Sequence, residues 1–469
     1  MQDLLMRSFS DLKVMASHGL ASHGLPNPLI RVGSRRWFLQ TSAAGFGSLS
    51  LPPLLNLQST AQASSNPQDP KDGERKAVIL FWLSGGPSHI DMWDPKPTAP
   101  SEIRGPYRTI PTRLPGVRLS EHLPRQASIA DKLSIIRSVD CRASDHTPIT
   151  MQTGNPLARR TNDGRDGDGY PAMGSVASRF RGANDTHMPP FVGLANSWSS
   201  DVWEAGKMGN QYAPVKGHKL NGRFGMPAGI NVKHLQDRDR LRQALDRFDR
   251  RVDNNRTLDR VDRFTRQAYE MVKSGKVQRA FDLGAESTTT REAYGSTSIG
   301  EKALLARRLV EAGVTFVLVS GAWGYFDHHG DNVRWGGIQK GLTPLLPRVD
   351  QVIFALVNDL ESRGLLDNTL VMMMGEFGRS PMINKDAGRD HWTNVMSMIM
   401  AGGGLNHGQV IGSTDSHGGA IASSPVRPQD LAATTYKHLG VDLNAHWTDP
   451  TGRPVPIVVE GGRPIPELA

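Results

Sequence analysis

The chain has 469 residues, of which 38% are hydrophobic and 22% charged, a composition that supports a large buried core and excludes wholesale disorder. Its formal net charge of +9 is spread along the chain and comes partly from arginines near the N-terminus, so it does not indicate a nucleic-acid-binding protein. A single cysteine, Cys141, excludes an internal disulfide.

The N-terminal segment has the three parts of an export signal. Arg35 and Arg36 form a paired-arginine region, a mildly apolar stretch covers 43–57, and 61–63 is Ala-Gln-Ala, a small-residue cleavage site. We therefore expect residues 1–63 to be a signal peptide that engages the twin-arginine export machinery. The mature protein would then work in the periplasm or outside the cell. Because this route carries folded proteins, it also favours a bound metal or cofactor.

No transmembrane span is expected in the mature chain. The apolar part of the signal is short and interrupted by glycine and proline, and no other apolar run approaches the roughly 18 residues that a spanning helix needs. Residues 64–76 are polar and contain proline, which predicts a linker between the cleavage site and the folded part. We expect the remainder, 77–469, to form one domain.

Four continuous apolar runs predict strands that are buried on both faces. They cover residues 77–83, 314–320, 369–374 and 395–400, and each leads into a glycine-containing turn. Apolar residues at helical spacing occur at 298–313 and at 343–363. A strand, a helix and a strand in this order predict parallel strands with a right-handed crossover. The expected fold is α/β, with a mostly parallel central sheet, helices on both faces and an active site at the carboxyl ends of the strands.

Residues 234–283 differ from this pattern. They are rich in arginine and aspartate, and apolar residues such as Leu241, Leu245 and Phe248 recur at helical spacing. The two signs of charge are interleaved, which indicates solvent-facing helices rather than a nucleic-acid surface. We expect a helical cap insertion here, and no nucleic acid among the partners.

Carboxylates and histidines lie next to the ends of the predicted strands. Those that we select as candidate metal ligands are Asp91 after the first run, Asp327 and His329 after the second, Glu376 after the third, and Asp390 and His391 just before the fourth. Carboxylate oxygens and imidazole nitrogens bind divalent metals. Two metals in such a site would clamp both the attacking and the leaving oxygen of an ester displacement. The joint placement predicts a site for one or two divalent ions.

Several longer motifs resemble a known family. They cover residues 85–97, 375–381, 388–392 and 409–415. In these segments the chain resembles the sulfatase-like exported bacterial family known as domain of unknown function 1501, and the resemblance extends over essentially the whole mature chain. That family is similar to the alkaline phosphatase superfamily. The resemblance implies hydrolysis of a phosphate or sulfate ester with two metals and a serine, threonine or cysteine nucleophile.

The same resemblance implies roles for individual residues. Asp327 and His329 correspond to the metal pair after the middle strand, Glu376 stands where a metal-binding aspartate is usual, and His391 corresponds to the late metal histidine. A divalent ion of zinc, calcium, manganese or iron at these four residues would polarise the ester oxygen.

The segment 144–154 is similar to the nucleophile helix of sulfatases, which closes in Thr-Gly. Counting back from that pair places Ser144 at the nucleophile, while His146 and Thr147 remain alternatives as nucleophile or metal ligand. Either Arg379 or Arg389 could brace an anionic group with its planar donors. An ion pair of these arginines with a nearby acid such as Asp390 is the alternative.

The chain also departs from the superfamily pattern. Ser84 and Gly85 stand where the first strand usually ends in aspartate, so Asp91 would be a substitute ligand. Glu376 and Phe377 replace the usual Asp-His pair after the third strand. The residues after Cys141 do not fit a formylglycine motif, so we expect an ordinary buried thiol there.

Two functions follow from these observations. The first is a metal-dependent hydrolase that acts on an anionic ester, either a small molecule or a group on a polysaccharide. The second is a non-catalytic sulfatase-like protein that binds a ligand or works at the cell surface, which the missing aspartate and the missing Asp-His pair favour.

Overall fold

The structure is a computed structural model that describes residues 75–158, 169–195, 199–217, 237, 270–320 and 326–469. The expected signal peptide, almost all of the linker and most of the expected helical insertion lie outside the described residues. Among the described helices, none has both the length and the apolar character that crossing a bilayer requires.

Strands and helices alternate along the described part of the chain. The strands are β1 (Ala77–Trp82), β2 (Thr109–Pro111), β3 (Arg118–Ser120), β4 (Leu133–Val139), β5 (Phe191–Leu194), β6 (Val215–Lys216), β7 (Phe316–Ser320), β8 (Thr369–Met374), β9 (Gly378–Arg379), β10 (His391–Trp392), β11 (Met396–Gly402), β12 (Gln409–Ile411), β13 (Ser413–Thr414), β14 (Ile421–Ser423), β15 (His446–Thr448) and β16 (Pro454–Pro456). The helices are α1 (Ser101–Arg104), α2 (Pro124–Ser128), α3 (Ile149–Thr153), α4 (Met173–Phe180), α5 (Lys276–Ala280), α6 (Thr288–Tyr294), α7 (Ser298–Ala312), α8 (Leu346–Ser362) and α9 (Pro428–His438).

Eight strands form one central sheet, in the order β12-β4-β11-β8-β1-β7-β5-β6. The central strand β1 pairs in parallel with β7 on one side and with β8 on the other. Strands β5 and β6 continue the parallel part beyond β7. Strand β11 runs antiparallel to both of its neighbours, β8 and β4. The sheet is therefore mostly parallel, as the sequence predicts, with one reversed strand.

The four apolar runs form β1, β7, β8 and β11, and the two stretches of helical spacing form α7 and α8, so these predictions are confirmed. Every residue of β1, β7 and β8 is buried, which explains why the runs are continuous rather than alternating. One face of the sheet packs against α7 and α8. The other face packs against α4 and α9. Helices on both faces are confirmed as well.

Strand β4 was not predicted, because its sequence mixes apolar and polar residues. Its polar side chains are satisfied by contacts distant in sequence. Ser134 Oγ lies 2.9 Å from His407 Nδ1, and Ser138 Oγ donates a 2.5 Å hydrogen bond to the Ser424 carbonyl. A buried hydroxyl with a partner costs little, so such residues are compatible with a central strand.

The topology brings distant parts of the chain to one edge of the sheet. Strands β1, β4, β7 and β8 all end at this edge, because they run in the same direction. The antiparallel β11 begins there, since its Ile399 lies opposite Met373 and its Gly402 opposite Leu370. Residues that precede β11 can therefore meet residues that follow β7 and β8.

Candidate metal centre

Four segments meet at this edge of the sheet. The loop after β4 carries His146, and the loop after β7 carries Asp327 and His329. The turn after β8 carries Glu376, and β10 carries His391. Strand β10 pairs with β9 immediately after the Glu376 turn, which turns the histidine back toward the end of β8.

Three potential ligand atoms form a tight triangle at the centre of this group. Asp327 Oδ1 lies 3.0 Å from His329 Nε2 and 3.0 Å from His391 Nε2. The two imidazole nitrogens are 2.9 Å apart. Ligand atoms on a tetrahedral metal with bonds of about 2.1 Å are about 3.4 Å apart. The three atoms are therefore almost at the separation that a shared cation requires.

His146 lies beside this triangle, between Asp327 and a second acid, Glu376. Its Nδ1 is 2.9 Å from Glu376 Oε1, and its Nε2 is 3.7 Å from Asp327 Oδ2. Ligand atoms of His146, Asp327 and His391 all lie within 4.8 Å of one another. The carboxylates of Asp327 and Glu376 raise the pKa of His146 to about 10. His146 is therefore protonated and positively charged at neutral pH, between the two carboxylates.

Burial by itself would raise the pKa of Asp327, but His146, His391 and Arg379 together hold it well below its ordinary range. The carboxyl group is therefore ionised at any physiological pH. An ionised oxygen facing two imidazole nitrogens is an appropriate ligand for a divalent metal.

Glu376 is buried, and only one of its two carboxylate oxygens is used. Oε1 accepts a 2.8 Å hydrogen bond from the Gly85 amide and also contacts His146. Oε2 is buried and has no hydrogen-bond partner among the described residues. Burial raises the pKa of Glu376. A buried carboxylate oxygen without a partner is costly, and a cation would supply that partner, so the residues present fit a divalent ion.

Arg379 holds one of the acids of the centre in an ion pair. It is buried, and its Nη2 lies 2.6 Å from Asp327 Oδ1. Its other contacts are backbone carbonyls, including those of Gly85, Gly86 and Phe326. The donors of Arg379 are thus used within the protein, where they fix the position of Asp327, and the arrangement matches the ion-pair alternative with Asp327 as the acid.

Asp91 and Arg389 form a buried ion pair away from the triangle. Arg389 Nε is 2.7 Å from Asp91 Oδ2, and its Nη2 is 3.1 Å from Oδ1. Ser88 Oγ donates a further 2.5 Å hydrogen bond to Oδ2. Both oxygens of Asp91 are thus engaged. The structure places Asp91 against Arg389 and not in the triangle, and the acid partner of Arg389 is Asp91 rather than Asp390.

Asp390 lies at the exposed rim, where its Oδ1 is 3.5 Å from His329 Nδ1 and accepts a hydrogen bond from Asn384. Asp390 therefore lies on the Nδ1 side of His329, whereas the triangle is on the Nε2 side. A carboxylate behind a metal-binding imidazole orients the ring.

Of the three residues predicted as catalytic, the structure brings His146 against the acids of the cluster. Ser144 is buried, and its Oγ donates a long hydrogen bond of 3.5 Å to the Asp145 carbonyl. Thr147 Oγ1 donates to the Asp145 carboxylate at 2.5 Å and accepts from the Ile149 amide at 3.4 Å. The hydrogen bonds of both hydroxyls are local.

Sequence reasoning missed a buried network next to the centre. Asp201, in the 3₁₀ turn Ser199–Asp201, accepts hydrogen bonds from Ser84 and Ser320. Lys302 of α7 donates to the Ser320 carbonyl and is also buried. A signal for Lys302 was available, because it lies three residues after Ile299 on the apolar side of an amphipathic helix. No pattern in the sequence pointed to Asp201.

Cys141 is buried, and its thiol contacts the Val139 carbonyl at 3.4 Å. Burial raises its pKa well above the ordinary value, so the nucleophilic thiolate is suppressed. We expect Cys141 to resist alkylation by iodoacetamide in the native protein and to react fully after denaturation, measured by peptide mass spectrometry. Rapid native labelling, or a peptide in which residue 141 is converted to formylglycine, would contradict this expectation.

The fold and the centre together define a mostly parallel α/β domain with a cluster of carboxylates and histidines at the carboxyl edge of its sheet. The sequence matches the family described as "Protein of unknown function (DUF1501)" over residues 75–469. The chain belongs to this family, and the resemblance seen in the sequence is confirmed at that level.

Solved structures share a distant similarity with the chain. Ps i-CgsB in complex with k-i-k-neocarrahexaose is 12% identical, with 78% of this chain and 72% of that chain covered and a TM-score of 0.38. A sulfatase from Pseudoalteromonas sp. is 12% identical, with 79% and 68% covered and a TM-score of 0.38. The phosphonate monoester hydrolase of Agrobacterium radiobacter is 12% identical, with 84% and 77% covered and a TM-score of 0.33. No curated protein matches the sequence.

Proposed function

We propose that this protein is an exported, metal-dependent hydrolase that cleaves a phosphate or sulfate ester. The observation that supports this function most directly is the convergence of Asp327, His329 and His391 to within 3.0 Å of one another, beside a buried oxygen of Glu376 that has no partner among the described residues. Carboxylate and imidazole ligands of this kind hold the divalent ions that assist ester hydrolysis.

Asp327, His329, His391 and Oε2 of Glu376 would hold the ion. When bound, it supplies positive charge toward the oxygens of an anionic ester. The chain has groups that fix these ligands in advance. Arg379 holds Asp327, and the Gly85 amide holds Glu376. Preorganised ligands lose little freedom on binding, which strengthens both metal affinity and catalysis.

His146 is the residue that we assign to proton transfer. Its Nδ1 is 2.9 Å from Glu376 Oε1, its Nε2 is 3.7 Å from Asp327 Oδ2, and its side chain is 44% exposed, so a substrate can reach the ring from solvent. Because the two carboxylates raise its pKa to about 10, His146 is protonated at neutral pH and can act as a general acid that gives its proton to a leaving group. If His146 were instead a metal ligand, replacing it would remove the ion.

The proposed export rests on the paired arginines within residues 1–63, a signal that would direct the mature domain to the periplasm or outside the cell. Replacing Arg35 and Arg36 together by lysine should retain the precursor in the cytoplasm, as seen by cell fractionation. An unchanged distribution between compartments would contradict this part of the proposal.

The metal centre is tested by elemental mass spectrometry on mature protein that was exported by its own pathway and purified without chelator. We expect stoichiometric zinc, manganese, calcium or iron, which His391→Ala should lose. His417→Ala is the matched control, since His417 is an exposed loop histidine, and it should retain the metal. A wild-type protein that contains no metal would contradict the proposed metal-dependent hydrolase function.

Activity is tested on 4-nitrophenyl phosphate and 4-nitrophenyl sulfate, followed by sulfated and phosphorylated polysaccharides. His146→Ala should retain the metal and lose turnover by about 10²–10⁴-fold, the usual contribution of a general acid or base. Loss of the metal from this variant would make His146 a ligand rather than a proton carrier.

A second candidate function is non-catalytic binding of an anionic ligand or a cell-surface partner. The local hydrogen bonds of Ser144 and Thr147 favour it, because both go to Asp145 and, among the described residues, the hydrogen bonds of His146 go to the acids of the cluster instead. A protein that holds its metal, binds an anionic polysaccharide and turns over no ester would establish this alternative.

A further inference from the structure

A loop directly after His329 lies beside the proposed centre. It covers residues 330–341, and we call it the rim loop. Its first residue, Gly330, forms an antiparallel bridge with Ala387, which shortly precedes His391 along the chain. The rim loop is therefore joined to both of the segments that carry the histidines of the ligand triangle.

The backbone of the rim loop is fixed by close contacts. The buried imidazole of His328 donates from Nδ1 to the Trp335 carbonyl at 3.0 Å. A Cβ atom at Gly341 would lie 2.0 Å from that carbonyl oxygen and 2.3 Å from His328 Nδ1, so only glycine fits there. Residues Ile338–Leu342 form a π-helical turn, a rare conformation that is frequent at functional sites. A loop that is already held in one conformation loses little freedom when a ligand binds.

This fixed loop carries an exposed arginine, Arg334. Its guanidinium carbon lies 4.6 Å from the centroid of the Trp335 ring, which is a cation–π contact. Such a contact leaves N–H groups of the guanidinium available to bind an oxyanion with two hydrogen bonds. Arg334 has no acidic partner among the described residues, and the one acid of the rim loop, Asp331, pairs with Lys340 at 3.2 Å.

The buried arginines of the centre have no such donors to offer. Those of Arg379 go to Asp327 and to backbone carbonyls, and those of Arg389 go to Asp91 and to backbone carbonyls. Arg334 contacts none of the carboxylates of the centre. An anion that it binds would therefore lie outside the ligand cluster, and would be a group other than the ester at the proposed ion.

Exposed apolar side chains accompany this cation. Three large hydrophobic side chains are exposed in the part of the chain that the structure describes, and two of them, Val333 at 43% and Met382 at 56%, lie in this region. Val333 precedes Arg334 in the rim loop. Met382 precedes Asn384, whose side-chain amide donates to the His329 carbonyl at 2.8 Å. Apolar C–H faces and repeated anionic groups occur together in anionic polysaccharides, so such a chain is complementary to this surface.

We propose that Arg334, held on the ring of Trp335, binds a second anionic group of the substrate, and that the substrate is an anionic polysaccharide rather than a small monoester. This inference rests on the proposed ester hydrolysis and specifies its substrate. Arg334 would contact the substrate directly, whereas Trp335 and His328 would be positioning residues.

Binding is tested by isothermal titration calorimetry of the mature protein with dextran sulfate, with uncharged dextran for comparison. We expect the wild type to bind dextran sulfate only, and Arg334→Gln to weaken that binding about tenfold, because it loses charge-assisted hydrogen bonds. Arg291→Gln is the matched control, since Arg291 is an exposed arginine of α6, and it should bind like the wild type.

Two outcomes of this titration would overturn the inference. Equal losses in Arg334→Gln and Arg291→Gln would reduce the effect to net charge. A single-stranded oligonucleotide that binds as tightly as dextran sulfate, with the same dependence on Arg334, would overturn the assignment to a polysaccharide.

Kinetics separate the rim from the reacting group. Arg334→Gln should raise the KM for dextran sulfate or dextran phosphate about tenfold with kcat unchanged, and should leave both constants for the 4-nitrophenyl esters unchanged, because these have no second anionic group. An equal rise in KM for the small esters would overturn the inference. Hydrolysis of 4-nitrophenyl esters without any binding that depends on Arg334 would also overturn it and leave the proposed function intact. Binding that depends on Arg334 without hydrolysis of any ester would instead contradict the proposed function.

The role of the aromatic ring is tested by two further variants. Trp335→Ala should weaken binding of dextran sulfate as much as Arg334→Gln does, and Trp335→Phe should retain most of it, because a phenyl ring still stacks on a guanidinium. A Trp335→Ala protein that folds and binds dextran sulfate like the wild type would contradict the positioning role of Trp335. Thermal unfolding establishes that each variant is folded, and should Trp335→Ala fail to fold, the comparison of Arg334→Gln with Arg291→Gln still decides the inference.

Discussion

Replacing Asp327 by asparagine is expected to deprive the centre of its metal. Asp327 supplies the oxygen shared by His329 and His391, so asparagine removes the negative charge on which the ion would depend. Metal content should fall to background, and the proposed ester hydrolysis should fall with it by at least about 10³-fold, because a bound ion contributes several kcal/mol of charge stabilisation at the reacting oxygens.

The same change has a structural cost that can be measured separately. Arg379 is buried and loses its charged partner, although the asparagine oxygen can still accept one hydrogen bond from it. Half-broken buried ion pairs cost about 3–5 kcal/mol, and the retained hydrogen bond should keep the loss near the lower end. Asp131→Asn is the matched control, because Asp131 forms an exposed ion pair with Arg113. It should retain the metal and almost all of the stability. An Asp327→Asn protein that holds a full equivalent of metal would contradict the proposed centre.

The parts of the fold that the sequence predicted well are those set by local apolar content. Strands β1, β7 and β8 are buried on both faces, so their sequences are continuous apolar runs, and these runs predict strands from the sequence alone. Strand β4 escaped prediction because its serines depend on partners hundreds of residues away, such as His407 and the Ser424 carbonyl. A window of a dozen residues contains no information about such partners.

The candidate site was also predictable only in the part that does not depend on long-range contacts. Its acids and histidines could be predicted from the sequence, because the topology of a parallel sheet places the residues at its strand ends together. His391 precedes β11, and it reaches the same edge because β11 runs antiparallel to β8. Which acid pairs with which arginine could not be predicted in this way. Asp91 meets Arg389 across 298 positions of sequence, and Arg379 meets Asp327 across 52. Tertiary packing decides which acid faces the histidines of the candidate centre and which acid neutralises an arginine.

Loss of the Asp91 carboxylate is the second large effect that we expect. Asp91→Ala would leave Arg389 buried without a counter-ion, and Ser88 would lose the oxygen to which it donates. The free energy of unfolding should fall by about 3–5 kcal/mol, because an uncompensated buried charge costs far more than the pair itself contributes. Urea unfolding of the mature protein, followed by tryptophan fluorescence, measures this difference.

A surface pair provides the comparison. Arg113 and Asp131 are 3.3 Å apart, with side chains 61% and 44% exposed. Asp131→Ala should therefore cost at most about 1 kcal/mol. Metal content then separates a structural role of Asp91 from a role as ligand. Folded Asp91→Ala protein should bind as much metal as the wild type, because both oxygens of Asp91 are used by Arg389 and Ser88. A variant that folds normally but has lost its metal would show that Asp91 is a metal ligand. The loop after β1 would then have to move toward the triangle when the ion binds.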